Sequence, residues 1–306
     1  MLKPNLFDVT DRIYAITGAG GALCGVMAVE LAARGARVAL LDLDLDAAKT
    51  RAKSITDAGG KALPLECNVL DEAQLVSCAD AIEAEWGVPD VLINGAGGNH
   101  PSGSTDVEFV QPQMLAAPGA TPAPDAASAP GATPAPGATP APGRSTFFDL
   151  PTDGFRRVFD LNFLGTVMPT RIFGRRMAAR GGGAVINMSS MSALTALTKV
   201  GAYSAAKSAV ASFTSWLAVH LAPTGVRVNA LAPGFFMTEQ LRFLHIDQET
   251  GEFTPRAKAV IAHTPMGRYG EPEELVGAVI WLSTEAASFV TGIVLPIDGG
   301  FSSYSI

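Results

Sequence analysis

Arg12-Ile-Tyr-Ala-Ile-Thr17-Gly18-Ala-Gly20-Gly21-Ala-Leu-Cys-Gly25 decides the fold. Residues 12–17 read as a short buried strand, apolar without alternation. The glycine cluster follows at once, and then an Ala/Val/Leu-rich stretch that predicts a helix to about Ala33. A strand running through glycines into a helix start is a phosphate-binding turn. Small residues let the backbone approach a pyrophosphate, and the helix N-terminus supplies N–H donors. A glycine cluster alone also marks an ordinary tight turn, so the weight falls on its surroundings.

The next strand, Val38-Ala-Leu-Leu41, ends in Asp42, 24 residues after Gly18. An acidic residue near that offset hydrogen-bonds an adenosine ribose. Its carboxylate repels a 2′-phosphate, and no Arg or Lys stands between Leu43 and Ala48 to receive one, so the pattern predicts NAD over NADP. Helix capping is the other use of Asp42, although Asp44 or Asp46 can fill that role. The alternation continues with a helix over 45–58, a strand over 62–65 and a helix over 71–86. Asp90-Val-Leu-Ile93 then runs into Asn94-Gly-Ala-Gly97. Repeated strand–helix units predict an α/β fold, a Rossmann-type doubly wound parallel sheet of about seven strands with ligands at the strands' carboxyl ends.

Composition agrees. Of 306 residues 48% are hydrophobic and 17% charged, as a doubly covered sheet requires. A net charge of −7 and a pI near 5.1 argue against nucleic acid as a partner. No secretion signal and no membrane-length apolar run is visible, so a cytoplasmic location is expected. Cys24, Cys67 and Cys78 are odd in number and lack metal spacing, and the four histidines are scattered. Buried free thiols and no metal are expected.

One segment interrupts the pattern. From about 113 to 143 the chain is built mostly from Ala, Pro, Gly and Thr, with Pro-Gly-Ala-Thr-Pro-Ala at 118–123, 130–135 and 136–141. Without bulky apolar residues beyond Leu115 it cannot bury a core, which predicts a disordered insertion in a single domain spanning 1–306. A tolerated surface insertion is the favoured reading. A partner-binding tether and a fold-over at the cleft edge are the others.

Beyond it, a long helix is expected over 153–180, with Pro169 inside and Asn162 as a polar group needing a partner. Ala184-Val-Ile-Asn-Met188 reads as the fifth strand and delivers Ser189 and Ser190 to its end. A helix carrying Tyr203-Ser-Ala-Ala-Lys207 follows to about Leu221, then strands at 226–231 and 293–295 and a helix over 272–283. On a helix Tyr203 and Lys207 share a face. A phenol with a pKa near ~10 needs a drop of about three units to work near neutrality. One ammonium at about 4 Å supplies on the order of 4 kcal/mol at an effective dielectric of ~20, roughly enough. Tyr-x-x-x-Lys alone is a common accident on helices; its company gives it meaning.

Thr17-Gly18, Asn94-Gly-Ala-Gly97, Asn162, Ser190, Tyr203-x-x-x-Lys207, Pro233-Gly234 and Asp298-Gly-Gly300, in this order, resemble the short-chain dehydrogenase/reductase family over the whole chain except the insertion. Gly97-Gly-Asn-His-Pro101, Phe147-Phe-Asp-Leu150, Asp160-Leu-Asn-Phe-Leu-Gly165, Ala232-Pro-Gly-Phe-Phe-Met-Thr-Glu-Gln240 and His263-Thr-Pro-Met-Gly-Arg268 resemble its D-mannonate oxidoreductase (fructuronate reductase) subgroup. The resemblance implies an NAD-dependent oxidoreductase exchanging hydride with a sugar acid, active as a homodimer or homotetramer. It implies that Tyr203 passes the hydroxyl proton, Lys207 lowers its pKa and holds the nicotinamide ribose, Ser190 binds the substrate oxygen, and Asn162 anchors a water leading to Lys207. Cofactor contacts are implied for Thr17, Gly18, Gly20, Gly21, Leu23, Asp42, Asn68, Val69, Asn94, Ala96, Gly97, Pro233, Gly234 and Thr238, besides Tyr203 and Lys207. Four positions depart from the family pattern. Ala22 and Cys24 replace glycines of the phosphate turn, Gly95 replaces an asparagine, and Asn68 stands where an aspartate often meets the adenine.

A sugar acid needs local positive charge for its carboxylate. Lys199, in the loop before Tyr203, and His100, with Asn99 just past the fourth strand, rank first; Arg242 and His245 lie in a flap-like region after Gly234. Each also reads as an ordinary solvated loop residue. Another polyol or ketogluconate dehydrogenase is the competing activity, and a non-catalytic nucleotide-sensing scaffold the competing class.

Overall fold

The computed structural model describes residues 5–115, 145–238, 242, 245–248 and 250–305. The insertion expected over 113–143 therefore lies outside the described residues from residue 116 onward; Pro112–Leu115 form a short 3-10 turn.

Seven parallel strands make one sheet: β1 Ile13–Thr17, β2 Arg37–Asp42, β3 Lys61–Glu66, β4 Val91–Asn94, β5 Gly183–Met188, β6 Val226–Pro233 and β7 Val294–Ile297. Their order is β3-β2-β1-β4-β5-β6-β7. The winding reverses between β1 and β4, and the reversal opens a crevice at their carboxyl ends. The helices are α1 Ala22–Ala33, α2 Leu45–Asp57, α3 Glu72–Glu85, α4 Thr152–Phe159, α5 Gly165–Arg180, α6 Gly201–Leu221, α7 Pro255–His263 and α8 Val276–Ser283.

Burial on both faces explains the unbroken apolar strands. Tyr14 and Ile16 of β1 join a core with Met27 and Leu31 of α1 and Leu282 of α8. Ile13 and Ala15 point the other way, into a core with Leu75 and Ile82 of α3 and Phe173 and Met177 of α5. The phenol of Tyr14 reaches Ser283 Oγ at 2.7 Å, so its burial leaves no orphaned polar group there.

Two expectations change. The single helix expected over 153–180 is α4 and α5 joined through a π turn, Asp160–Leu164, and the register breaks there rather than at Pro169, which α5 accommodates. π turns of this kind gather at functional positions. The helix α7 was not anticipated, although Thr254-Pro255 carries a start signal: the Thr254 hydroxyl accepts from Ala257 N–H at 3.3 Å, with proline just inside the helix.

Candidate active site

A buried polar frame fixes the strand ends. Asn94 and Asn187 are register partners on β4 and β5. Asn94 Nδ2 donates to Asn187 Oδ1 at 2.8 Å and to Thr170 Oγ1 of α5 at 2.7 Å, and Asn187 Nδ2 donates to Thr214 Oγ1 of α6 at 2.9 Å. Thr17 Oγ1 accepts from the amides of Gly95 and Ala96 at 3.0 and 3.1 Å, stitching β1 to β4. Thr17 and Asn94 thus stand behind the crevice and do not line it, unlike the other expected cofactor residues.

The crevice is a cleft of about 700 Å³ running from Asp42, Asn68 and Val69 over Gly18, Gly20, Gly21 and Leu23 to Gly97, Ser190, Tyr203 and Lys207, with Ala96, Pro233, Gly234 and Thr238 along its walls. Gly21 caps α1 without a side chain, so the first-turn amides of Ala22 and Leu23 are left for a ligand. Asp42 Oδ2 accepts from Gly20 N–H at 2.8 Å and Oδ1 from Asp44 N–H at 2.9 Å. Capping of α2 falls to Asp44, whose carboxylate accepts from the Asp46 and Ala47 amides. Among the described lining residues Lys207 is the one cation, and it stands at the far end from Asp42 and Asp44. The cradle fits a dinucleotide with a free ribose hydroxyl and disfavours a 2′-phosphate.

The departures at Cys24 and Gly95 explain each other. A Cβ added to Gly95 would lie 2.1 Å from Cys24 Sγ and 2.7 Å from Thr17 O. The thiol of α1 fills the space that a side chain on residue 95 would need. Burial pushes the Cys24 thiol up to about 12, so it stays neutral beside Lys207. Gly25 serves α2 instead: its missing Cβ makes room for Arg51 Nε, which would lie 2.7 Å away.

At the other end four side chains converge. Ser190 caps the turn after β5, accepting from Ser192 N–H at 3.2 Å, and its hydroxyl lies near enough to that of Tyr203 to lower the phenol's pKa. Lys207 is 4% exposed; its Nζ donates to Met188 O at 2.7 Å and sits 5.5 Å from the centre of the Tyr203 ring. Burial lowers the Lys207 ammonium to about 8. The depressed tyrosine expected from sequence is not what the chain alone produces. Burial raises the Tyr203 phenol, the Ser190 hydroxyl pulls it back in part, and the ammonium is directed at a carbonyl. Asn162, in the π turn, donates from Nδ2 to Gly98 O at 2.7 Å and Val158 O at 2.8 Å and accepts from Gly98 N–H at 3.0 Å. A Cβ on Gly97 would lie 2.7 Å from Asn162 Oδ1 and 3.2 Å from Lys207 Nζ, so glycine there makes room for the buried Asn162 behind the wall and for Lys207 on it.

Of the substrate candidates only Ser190 lines the cleft. Asn99 Nδ2 donates to Ser104 Oγ at 2.7 Å, and His100 Nδ1 is held by Ser102. Lys199 takes a left-handed backbone, φ 71°, and its carbonyl accepts from Thr105 N–H at 2.9 Å. His245 is buried, its Nδ1 2.8 Å from the Tyr269 hydroxyl, and is structural. Sequence reasoning missed Leu161, Met188 and Cys67 on the cleft wall; an apolar side chain on a π turn or at a strand end carries no local signal.

Comparison with known proteins agrees with this geometry. Residues 12–114 match the model for short chain dehydrogenases, and 134–302 match the related model described as enoyl-(acyl carrier protein) reductase. An uncharacterised oxidoreductase of Haemophilus influenzae is 44% identical over 97% of this chain and 95% of its own. The uncharacterised oxidoreductase UxuB of Bacillus subtilis is also 44% identical, over 97% of both chains. A Haemophilus crystal structure with bound NAD, provisionally named a D-mannonate oxidoreductase, superposes with a TM-score of 0.84 at 43% identity, covering 98% of this chain and 99% of that one. A parallel sheet with its cleft at the winding reversal, Ser190, Tyr203 and Lys207 at one end of that cleft and relatives of this closeness place the chain in the short-chain dehydrogenase/reductase family, as an NAD-dependent oxidoreductase.

Proposed function

We propose that the protein interconverts D-fructuronate and D-mannonate at this cleft, with Tyr203 as the proton-transferring acid and base. The observation that carries the chemistry is the convergence of the Ser190 and Tyr203 hydroxyls beside the buried Lys207. Asp42, the glycine turn, Thr238 and Lys207 would hold NAD, which when bound would supply the hydride acceptor and the positive charge of its oxidised ring. Ser190 holds the substrate oxygen by hydrogen bonding, which sets the reacting carbon in place. Tyr203 takes the hydroxyl proton in oxidation and returns it in reduction. With Lys207 Nζ turned to Met188 O, the positive charge of an oxidised nicotinamide ring would be the added influence that favours the phenolate against the burial that opposes it. Asn162 keeps Gly98 and the π turn in register, so that the wall beside Lys207 does not move.

The substrate reading is supported by the provisional name of the Haemophilus structure and by the subgroup-like stretches at 97–101, 232–240 and 263–268. The test is NADH oxidation with D-fructuronate and a set of keto-sugar acids, with NADPH as the control. Turnover of D-fructuronate with NADH is expected. Turnover of ketogluconates with none of D-fructuronate would replace this substrate with the competing one.

A further inference from the structure

The substrate's carboxylate needs a seat, and the cation ranked first by sequence is poorly suited. Lys199 has Asp106 close enough that its charge stabilises that carboxylate, and its backbone is pinned to Thr105. A different cation stands nearer to His100. Arg157 Nη1 of α4 lies 3.4 Å from His100 Nε2. The neighbouring Arg156 takes Asp153 at 2.9 Å, and among the described residues no carboxylate forms an ion pair with Arg157.

The imidazole is held from behind. His100 caps the 3-10 turn Pro101–Gly103, with Nδ1 3.2 Å from Ser102 N and 2.7 Å from Ser102 Oγ. When Nδ1 accepts from the Ser102 amide, the ring proton sits on Nε2. The imidazole N–H and the guanidinium N–H groups then converge on one space with no acceptor between them. When Nδ1 carries the proton instead, Nε2 accepts from Arg157, and the remaining guanidinium N–H groups keep their charge and direction. Either tautomer leaves a fork of donors matched to a planar, two-oxygen anion.

The pair is also placed beside the reacting end. His100 and Arg157 stand outside the cleft lining but adjoin it in sequence: Gly98 lines the cleft two residues before His100, and Leu161, in the π turn, lines it four residues after Arg157. The loop between them is clamped: a Cβ on Gly103 would lie 2.8 Å from Val158 Cγ2 and 3.4 Å from Ala202 Cβ, next to Tyr203.

We propose that Arg157 and His100 form the subsite that seats the carboxylate of a sugar-acid substrate, with Arg157 as the specificity-determining cation. This rests on the sugar-acid reading above. The test uses equilibrium binding, so that it does not depend on turnover. D-mannonate and its uncharged counterpart D-mannitol are titrated into the enzyme–NADH complex by calorimetry, for wild type, Arg157→Gln and His100→Gln. The wild type is expected to prefer mannonate, and Arg157→Gln to weaken mannonate by at least about 10-fold. Arg157→Gln should leave mannitol and NADH affinities unchanged, and His100→Gln should give a smaller loss with the same selectivity. An Arg157→Gln variant that binds mannonate as the wild type does, or loses mannonate and mannitol equally, overturns the proposal; so does a wild type without preference. If binding depends on Arg157 while D-fructuronate is not turned over, the subsite stands and the substrate assignment falls.

Discussion

Adding one methyl group at Gly95 tests whether the two unusual positions of the cofactor turn are a matched pair. In Gly95→Ala the new Cβ would lie 2.1 Å from Cys24 Sγ and 2.7 Å from Thr17 O, while Cys24 Cβ would be at 3.4 Å, an ordinary contact. The thiol is nearly buried in the first turn of α1 and borders the cleft, so a swing that relieved the clash would push it into the cofactor cradle. Overpacking of this kind costs about 1–3 kcal/mol, and the backbone clash with Thr17 places Gly95→Ala toward the upper end. Cys24→Ala removes the sulfur and keeps the helix propensity, so alone it costs about 1 kcal/mol for lost packing. In the double variant the sulfur clash is gone and the Thr17 contact remains. About 1–2 kcal/mol of the Gly95→Ala cost should therefore be recovered as coupling between the two sites. Urea unfolding of the four proteins measures this directly. The Michaelis constant for NAD should move in parallel, because Gly95 N–H donates to Thr17 Oγ1 and Gly95 lines the cleft. Strictly additive costs would refute the matched-pair reasoning.

Three further outcomes are expected. Asp42→Asn keeps an acceptor for Gly20 N–H but removes the charge, and the ratio of NAD to NADP efficiency should fall by roughly 10-fold, from a repulsion of about 1–2 kcal/mol; an unchanged ratio in steady-state assays would show that Asp42 does not select the cofactor. Because Lys207 is lowered from 10.5 to about 8, the unfolded chain holds more protons between those values and unfolding becomes harder as pH rises through that window. Relative to Lys207→Met, the wild type should gain about 3 kcal/mol between pH 7 and pH 10.5, read by denaturant unfolding at both pH values; a constant difference contradicts the buried ammonium. Asn162→Ala strands the Gly98 amide and the carbonyls of Gly98 and Val158, and should cost about 2–4 kcal/mol in thermal or urea unfolding, with activity falling further than cofactor affinity.

What the sequence revealed and what it hid follow a physical division. Strands buried on both faces have to be apolar throughout, so β1, β2 and β4 announce themselves, and the residues at their ends are placed by the fold before any side-chain detail is known. Asp42 and the glycine turn were legible for that reason, and the Tyr203–Lys207 pair from its four-residue spacing on one helix face. The π turn at Asp160–Leu164 was not, since one extra residue in a helix barely disturbs a 3.6-residue period. The position of Asn94 behind the cleft depends on its register partner Asn187, 93 residues away. His245 looked like a loop cation because its partner Tyr269, itself packed by Phe253 and Phe235, lies 24 residues later. Arg157 carried no signal at all until the loop at 99–104 was folded against α4.

The same division separates the two halves of the site by how they are held. The cofactor half is built from strand ends and a helix start, where moving one residue shifts the sheet register. The half proposed for the substrate is built from connections fastened mainly to one another. Thr105 N–H donates to Lys199 O, Met237 N–H to Gly270 O, and Asp106 N–H to Ser145 O at 3.0 Å, with Ser145 N–H returning a bond to Asp106 Oδ2 at 2.9 Å. The last of these closes a stem across which the chain leaves at 106 and returns at 145. Once a stem is closed, lengthening the loop beyond it adds little further entropy cost, about 0.6 kcal/mol per doubling. A long Ala/Pro/Gly/Thr stretch is compatible with this fold because its ends already meet, and substrate choice can change in these connections while the end of β5 that holds Ser190 and the helix α6 that holds Tyr203 and Lys207 stay where they are.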